Sequence, residues 1–165
     1  MKNIAFIDAA NIILSSQRAG MDIDFLKLKT YLVDKFKVEN IYYFTANLKS
    51  IHEELRVLEM NNFSLVLKQV YFEKSKTKAN CDVEISHYIT KMVESGELSK
   101  LILLSGDGDF SILLDYANKN DIDTVLMSTD VKTTSKILRV KKYLKIIFLE
   151  QIITKITKEK TPAST

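Results

Sequence analysis

Cysteine, proline and glycine are all scarce in this 165-residue chain. Cys81 stands alone, which excludes an internal disulfide framework and leaves too few thiolates for a structural zinc site. Pro162 is the sole proline, and the four glycines, at 20, 96, 106 and 108, leave few places for loose linkers. Long apolar runs are missing too. No segment approaches the roughly twenty residues of a membrane-spanning helix, and Asp8 interrupts the first apolar run before it can serve as a signal h-region. A cytoplasmic protein without membrane contact is the expectation. Nor does either charge dominate: 24 Lys and Arg against 21 Asp and Glu give a formal +3, which permits a nucleic-acid or phosphate partner only if the cations cluster.

What is present is a composition of 46% hydrophobic and 27% charged residues, ordinary for one globular domain able to bury roughly two thirds of its unfolded surface. That domain is expected over 1–158, with 159–165 as a flexible tail. Apolar runs of strand length recur at 3–8 (NIAFID), 40–45 (NIYYFT), 64–72 (SLVLKQVYF), 100–105 (KLILLS), 123–128 (DTVLMS) and 143–149 (YLKIIFL). Helical spacing separates them. Phe25, Leu28, Leu32 and Phe36 follow it, with Asp22 or Asp24 placed as an N-cap. So do Ile51, Leu55 and Leu58, and more loosely Val83, Ile85, Ile89 and Val93. A helix starting near Asp109 is expected to carry Ile112, Leu113 and Tyr116 inward, and shorter elements are expected at 133–140 and 150–157. Strands alternating with helices read as an α/β fold with a mainly parallel sheet.

In such a sheet the ligand crevice lies beyond the carboxyl ends of the strands, where the winding reverses. NIAFID and KLILLS read as central strands because they are nearly continuous in apolar residues. The first delivers Asp8, with Asn11 three residues on; the second delivers Ser105, Asp107 and Asp109 within SGDGD. If the two strands are neighbours, about 4.8 Å apart, their carboxylates reach a common point, and Gly106 and Gly108 keep bulk away from it. Asp109 alone reads as a helix cap and Asp107 alone as a turn residue, but the set with Asp8 reads as a site. Crowded carboxylates call for a divalent cation. Oxygen-only donors favour Mg²⁺ or Mn²⁺, which keeps water ligands suited to attack on a phosphodiester. Asp82, with Glu84 close behind, opens a further helix; partner of the helix dipole and metal ligand are equally weighted readings of it.

Lys68, Lys74, Lys76 and Lys78 form a basic strip interleaved with Tyr71 and Phe72, suited to a phosphate backbone, although a solvated loop is the commoner explanation. Lys132, Lys136, Arg139, Lys141, Lys142 and Lys145 form a second cluster, for which a solvated helix face plus loop is the commoner reading and an RNA-facing rim the other. Cys81, His52 and His87 read as packing or surface residues, and Tyr42, Tyr43 and Phe44 as core. No nucleophile elbow, Walker A loop or dinucleotide fingerprint is present.

FIDAANI (6–12), CDVEI (81–85) with its basic lead, and LLSGDGDFSILL (103–114) together resemble an NYN domain, the LabA-like branch of the PIN-like nuclease superfamily, and the match continues to about residue 149. The resemblance implies a Rossmann-like three-layer α/β/α sandwich and a metal-dependent endoribonuclease. It carries Asp8, Asp82, Asp107 and Asp109 over as the acidic site for Mg²⁺ or Mn²⁺, Asn11 and Ser105 as its polar support, and Lys78 as the basic residue that precedes the helix aspartate. Members commonly have another acidic residue six positions after the one matching Asp82, where this chain has Tyr88. That departure is compatible with one tightly bound ion, with Glu84 in its place, or with RNA binding without cleavage. The expectation is hydrolysis of RNA, with Lys74, Lys76 and Lys78 gripping the strand and a homodimer left open. A non-catalytic RNA-binding or protein-interaction module and a small-molecule phosphohydrolase are the alternatives.

Overall fold

The computed structural model describes residues 1–70 and 80–159. Along the chain run β1 (Lys2–Asp8), α1 (Ala9–Arg18), α2 (Phe25–Phe36), β2 (Asn40–Ala46), α3 (His52–Met60), β3 (Ser64–Lys68), α4 (Asp82–Glu94), β4 (Leu98–Leu104), α5 (Ser111–Lys119), β5 (Asp123–Ser128), α6 (Lys136–Arg139), β6 (Lys145–Phe148) and α7 (Ile153–Ile156). All six strands pair in parallel, in the order β3-β2-β1-β4-β5-β6. β1 and β4 are therefore neighbours, with Phe6 facing Tyr42 on one side and Leu103 on the other.

Alternation along the strands sorts the core into two halves. Ala5, Ile7, Ile41, Tyr43, Ile102 and Leu104 face α1, α2, α3 and α7, through Ile12, Leu28, Leu32, Leu55 and Ile156. Ile4, Phe6, Phe44, Leu101 and Leu103 face α4, α5 and α6, through Ile85, Ile89, Leu113, Leu114 and Leu138. Both faces of the sheet are thus covered, which explains the unbroken apolar character of β1 and β4. The result is the three-layer α/β/α arrangement, and the winding reverses between β1 and β4.

Several expectations need correction. α1 did not stand out in the sequence because its buried face is Ala9, Ile12, Ser15 and Ser16, a stripe too small and polar to show a hydrophobic period. Asp24 caps α2 by accepting the Leu26 and Lys27 amides, whereas Asp22 pairs with Lys158. Val83 is 77% exposed rather than part of the inner face of α4. Ile112 is 82% exposed, and α5 turns Leu113, Leu114 and Ala117 inward instead. The phase of α5 is set by a 3₁₀ turn, Gly108–Phe110, which drives Phe110 into the core just ahead of it. β3 ends at Lys68; Tyr71, Phe72, Lys74, Lys76, Lys78 and the tail from 160 lie outside the described residues. Among the described residues no helix is long and apolar enough to cross a membrane.

Candidate metal centre at the switch point

The carboxyl ends of β1 and β4 open onto one crevice, and three aspartates meet there. Carboxylate oxygens of Asp82, Asp107 and Asp109 all lie within 4.8 Å of one another. Asp82 comes from the first turn of α4, and the other two from the segment between β4 and α5. Ligand oxygens about 2.1 Å from an octahedral Mg²⁺ are separated by about 4.2 Å when they lie opposite each other, so small side-chain adjustments close this set around such an ion. The donors are hard oxygens, and the residues therefore fit Mg²⁺ or Mn²⁺.

Asp8 stands behind the three and is tied to them through Ser105. The buried Ser105 hydroxyl donates to Asp8 Oδ2 at 3.0 Å and accepts the Asp107 amide at 3.2 Å. Asp107 Oδ1 in turn accepts the Asp109 amide at 2.9 Å. A continuous chain of hydrogen bonds thus runs from the end of β1 to the second aspartate of SGDGD. Asp8 also caps α1, accepting the Asn11 amide at 3.4 Å. Burial pushes its pKa up to about 6; the bonds from Ser105 and Asn11 oppose this, while repulsion from Asp82 and Asp107 adds to it. Asp82 is raised as well, first by burial and then by Asp107 and Asp109, against the bond from Asn80 and the nearby Lys68 cation. Asn80 Nδ2 donates to Asp82 Oδ2 at 2.7 Å, and its own carbonyl oxygen takes Lys68 Nζ at 2.6 Å.

Asn11 does not turn its side chain onto Asp8. Its Oδ1 accepts the Gly106 amide at 2.9 Å, fixing the start of the SGDGD turn while Asn11 lines the cleft. Glu84 stays outside the aspartate set and pairs with Lys68 at 3.6 Å. Tyr88 packs its ring 5.5 Å from those of Tyr42 and Phe44, so that position on α4 contributes to the core rather than to the acidic set. Cys81 is buried, and burial raises its thiol to about 11, as expected of a packing residue.

The glycines have a different reason from the one their spacing suggests. A Cβ on Gly106 would lie 2.6 Å from the Thr133 carbonyl oxygen, and one on Gly108 would lie 2.5 Å from Ser135 Oγ. Their missing side chains admit the loop after β5, which packs against SGDGD and carries Lys132, Lys136 and Arg139 to the rim of the same cleft, of about 580 Å³. Sequence spacing favoured a solvated face for these cations, because nothing in the local sequence announces that the two loops touch. Lys68, read from the sequence as part of the basic strip, stands beside Asp82 together with Asn80; Asn80 was missed, its only local signal being that it lies two residues from Asp82.

Residues 3–150 match the NYN domain family model. The chain is similar to the low amplitude and bright protein LabA of Synechococcus elongatus, with 25% identity over 136 residues that cover 76% of this chain and 72% of that protein. The crystal structure of a protein of unknown function from Vibrio parahaemolyticus superposes with a TM-score of 0.71 at 20% identity, covering 88% of this chain and 93% of that one; this likeness concerns the fold. With a family match across most of its length and the aspartates gathered at the switch point, the chain belongs to the NYN domain family.

Proposed function

We propose that this protein is a divalent-metal-dependent endoribonuclease that hydrolyses RNA phosphodiester bonds in the acidic cleft. The observation that carries the proposal is the convergence of Asp82, Asp107 and Asp109 in the switch-point crevice of a fold whose family lies within the PIN-like nuclease superfamily. In this reading Asp82, Asp107 and Asp109 hold Mg²⁺ or Mn²⁺. The cation, when bound, neutralises the phosphodiester and makes an attacking water more acidic. Asp8 supplies further negative charge from behind, with its orientation fixed by Ser105 and the Asn11 amide. The Asn11 side chain keeps the SGDGD turn in register. Such pre-set geometry is what a hydrolytic site needs, because ligands already in place do not have to be ordered during the reaction.

Cleavage of a single-stranded RNA in Mn²⁺ by the wild type and by Asp107→Asn tests the reading. The wild type is expected to cut, and the variant to lose at least about a hundredfold in rate, typical of removing an electrostatic group from a reacting centre. Equal cutting by both proteins overturns the site assignment. Turnover of free nucleotides or sugar phosphates in place of RNA moves the protein to the small-molecule class. One observation favours a second reading: Tyr88 takes an often acidic family position and spends it on aromatic packing. Salt-sensitive RNA binding with no turnover in Mn²⁺ selects that non-catalytic reading.

A further inference from the structure

The loop after β5 and α6 brings three cations, Lys132, Lys136 and Arg139, to the cleft that Asp107 and Asp109 also line. Among the described residues none of the three has a carboxylate partner. Lys68, Lys100, Lys141 and Lys158 all do, Lys141 being held by Asp115 at 2.6 Å. The basic cluster seen in the sequence therefore divides in two: Lys141 is neutralised on the flank, and the cations facing the cleft are not. Arg139 donates its Nε to the Thr134 carbonyl at 3.1 Å, which orients the guanidinium and leaves its terminal nitrogens available.

The backbone beneath these cations is pinned from several sides. Thr129 shares hydrogen bonds with Ser15 at 2.6 Å and Ser16 at 3.3 Å. Ser128 bonds Thr134 at 2.6 Å, and Asp130 Oδ1 accepts the Thr133 amide at 2.8 Å. The Ser135 amide donates to the Gly106 carbonyl at 3.0 Å. Ser128, Thr129 and Thr134 are buried. A mobile basic loop has to be ordered whenever it binds; here only the long side chains lose freedom.

An acidic centre alone repels a polyanion, and a cation held there can offset that only for the phosphate it touches. The neighbouring phosphates of the same strand need positive charge at the rim. We infer that Lys132, Lys136 and Arg139, with the Ser135 hydroxyl beside them, form the wall that grips the RNA backbone next to the bond presented to the aspartates. What the strand is presented for rests on the ribonuclease reading, but the grip itself needs no metal. It places an RNA contact after β5.

The test is fluorescence anisotropy of a 5′-fluorescein single-stranded RNA, with full-length protein in EDTA over a series of NaCl concentrations. The wall variant is Lys132→Ala with Lys136→Ala and Arg139→Ala. The control removes equal charge at Lys35, Lys91 and Lys119, exposed residues in the last turns of α2, α4 and α5. The wall variant is expected to weaken binding roughly tenfold or more and to flatten the salt slope by about 2, with the control close to wild type. Should the triple variant not fold by circular dichroism, the double variant Lys132→Gln with Lys136→Gln is read instead, with a flattening of about 1. Wild-type affinity in the wall variant, equal losses in wall and control, or no RNA binding by the wild type in EDTA overturns the inference. If the wall variant binds normally while Asp107→Asn stops cleavage, the wall fails and the ribonuclease reading stands. If the wild type never cleaves but the wall variant loses RNA, the reverse holds.

Discussion

Asp8 ends β1 and caps α1, and both duties hold its carboxylate out of water, at 5% exposure. Its pKa of about 6 against an ordinary 3.8 means that the folded protein binds the proton more tightly than the unfolded chain does. The stability this contributes is fully present below about pH 3.8 and is lost as the pH rises through about 6. Asn caps a helix as well as Asp does and carries no charge. In EDTA, Asp8→Asn is therefore expected to be more stable than wild type at pH 7.5, by up to about 3 kcal/mol from the size of the shift, with the gap closing below pH 4. Urea melts at both pH values measure it, and a variant less stable at pH 7.5 contradicts the account. Cys81 offers a simpler check. With its thiol raised to about 11 and its side chain buried, it is expected to react with a thiol-specific disulfide reagent at pH 8 only when the protein is unfolded.

Gly106 and Gly108 matter for the contact they permit between two loops, and neither has the left-handed backbone of Gly20 and Gly96. Gly106→Ala places a methyl group against the Thr133 backbone, where no side chain can swing away. A loss of about 1–3 kcal/mol is expected in a urea melt, together with weaker RNA binding, because the basic wall rides on that contact. A neutral result for both readings contradicts the close packing. The elements differ in how plainly their sequences announce them. β5 coincides with its apolar run, and α2 with its Phe25, Leu28, Leu32 and Phe36 period. α1 gave no such signal because it buries serines: Ser15 and Ser16 turn inward to bond Thr129. The inward face of α5 was misplaced because a 3₁₀ turn, which spacing cannot foresee, sets its phase.

At the scale of the whole molecule, the nearly balanced charge of +3 hides a sorted distribution. Acid gathers where β1 and β4 end, and cations without a carboxylate partner among the described residues stand beside it on the loop after β5 and on α6. The acidic half could be read from residue order, because strand ends in a parallel sheet point to one crevice and aspartates after apolar runs mark it. The basic half showed only as a run of cations; its place beside the acid depends on β4 and β5 being neighbours and on two bare glycines letting their loops meet. Doubly wound topology thus assembles one cleft from segments more than a hundred residues apart in the chain, running from Asn11 to Arg139. A crystal grown in MnCl₂, with anomalous scattering recorded at the manganese edge, tests the central claim most directly. The expected result is a peak about 2.1 Å from carboxylate oxygens of Asp82, Asp107 and Asp109, absent in Asp107→Asn crystals; a crevice without manganese, or manganese bound only elsewhere on the surface, would contradict it.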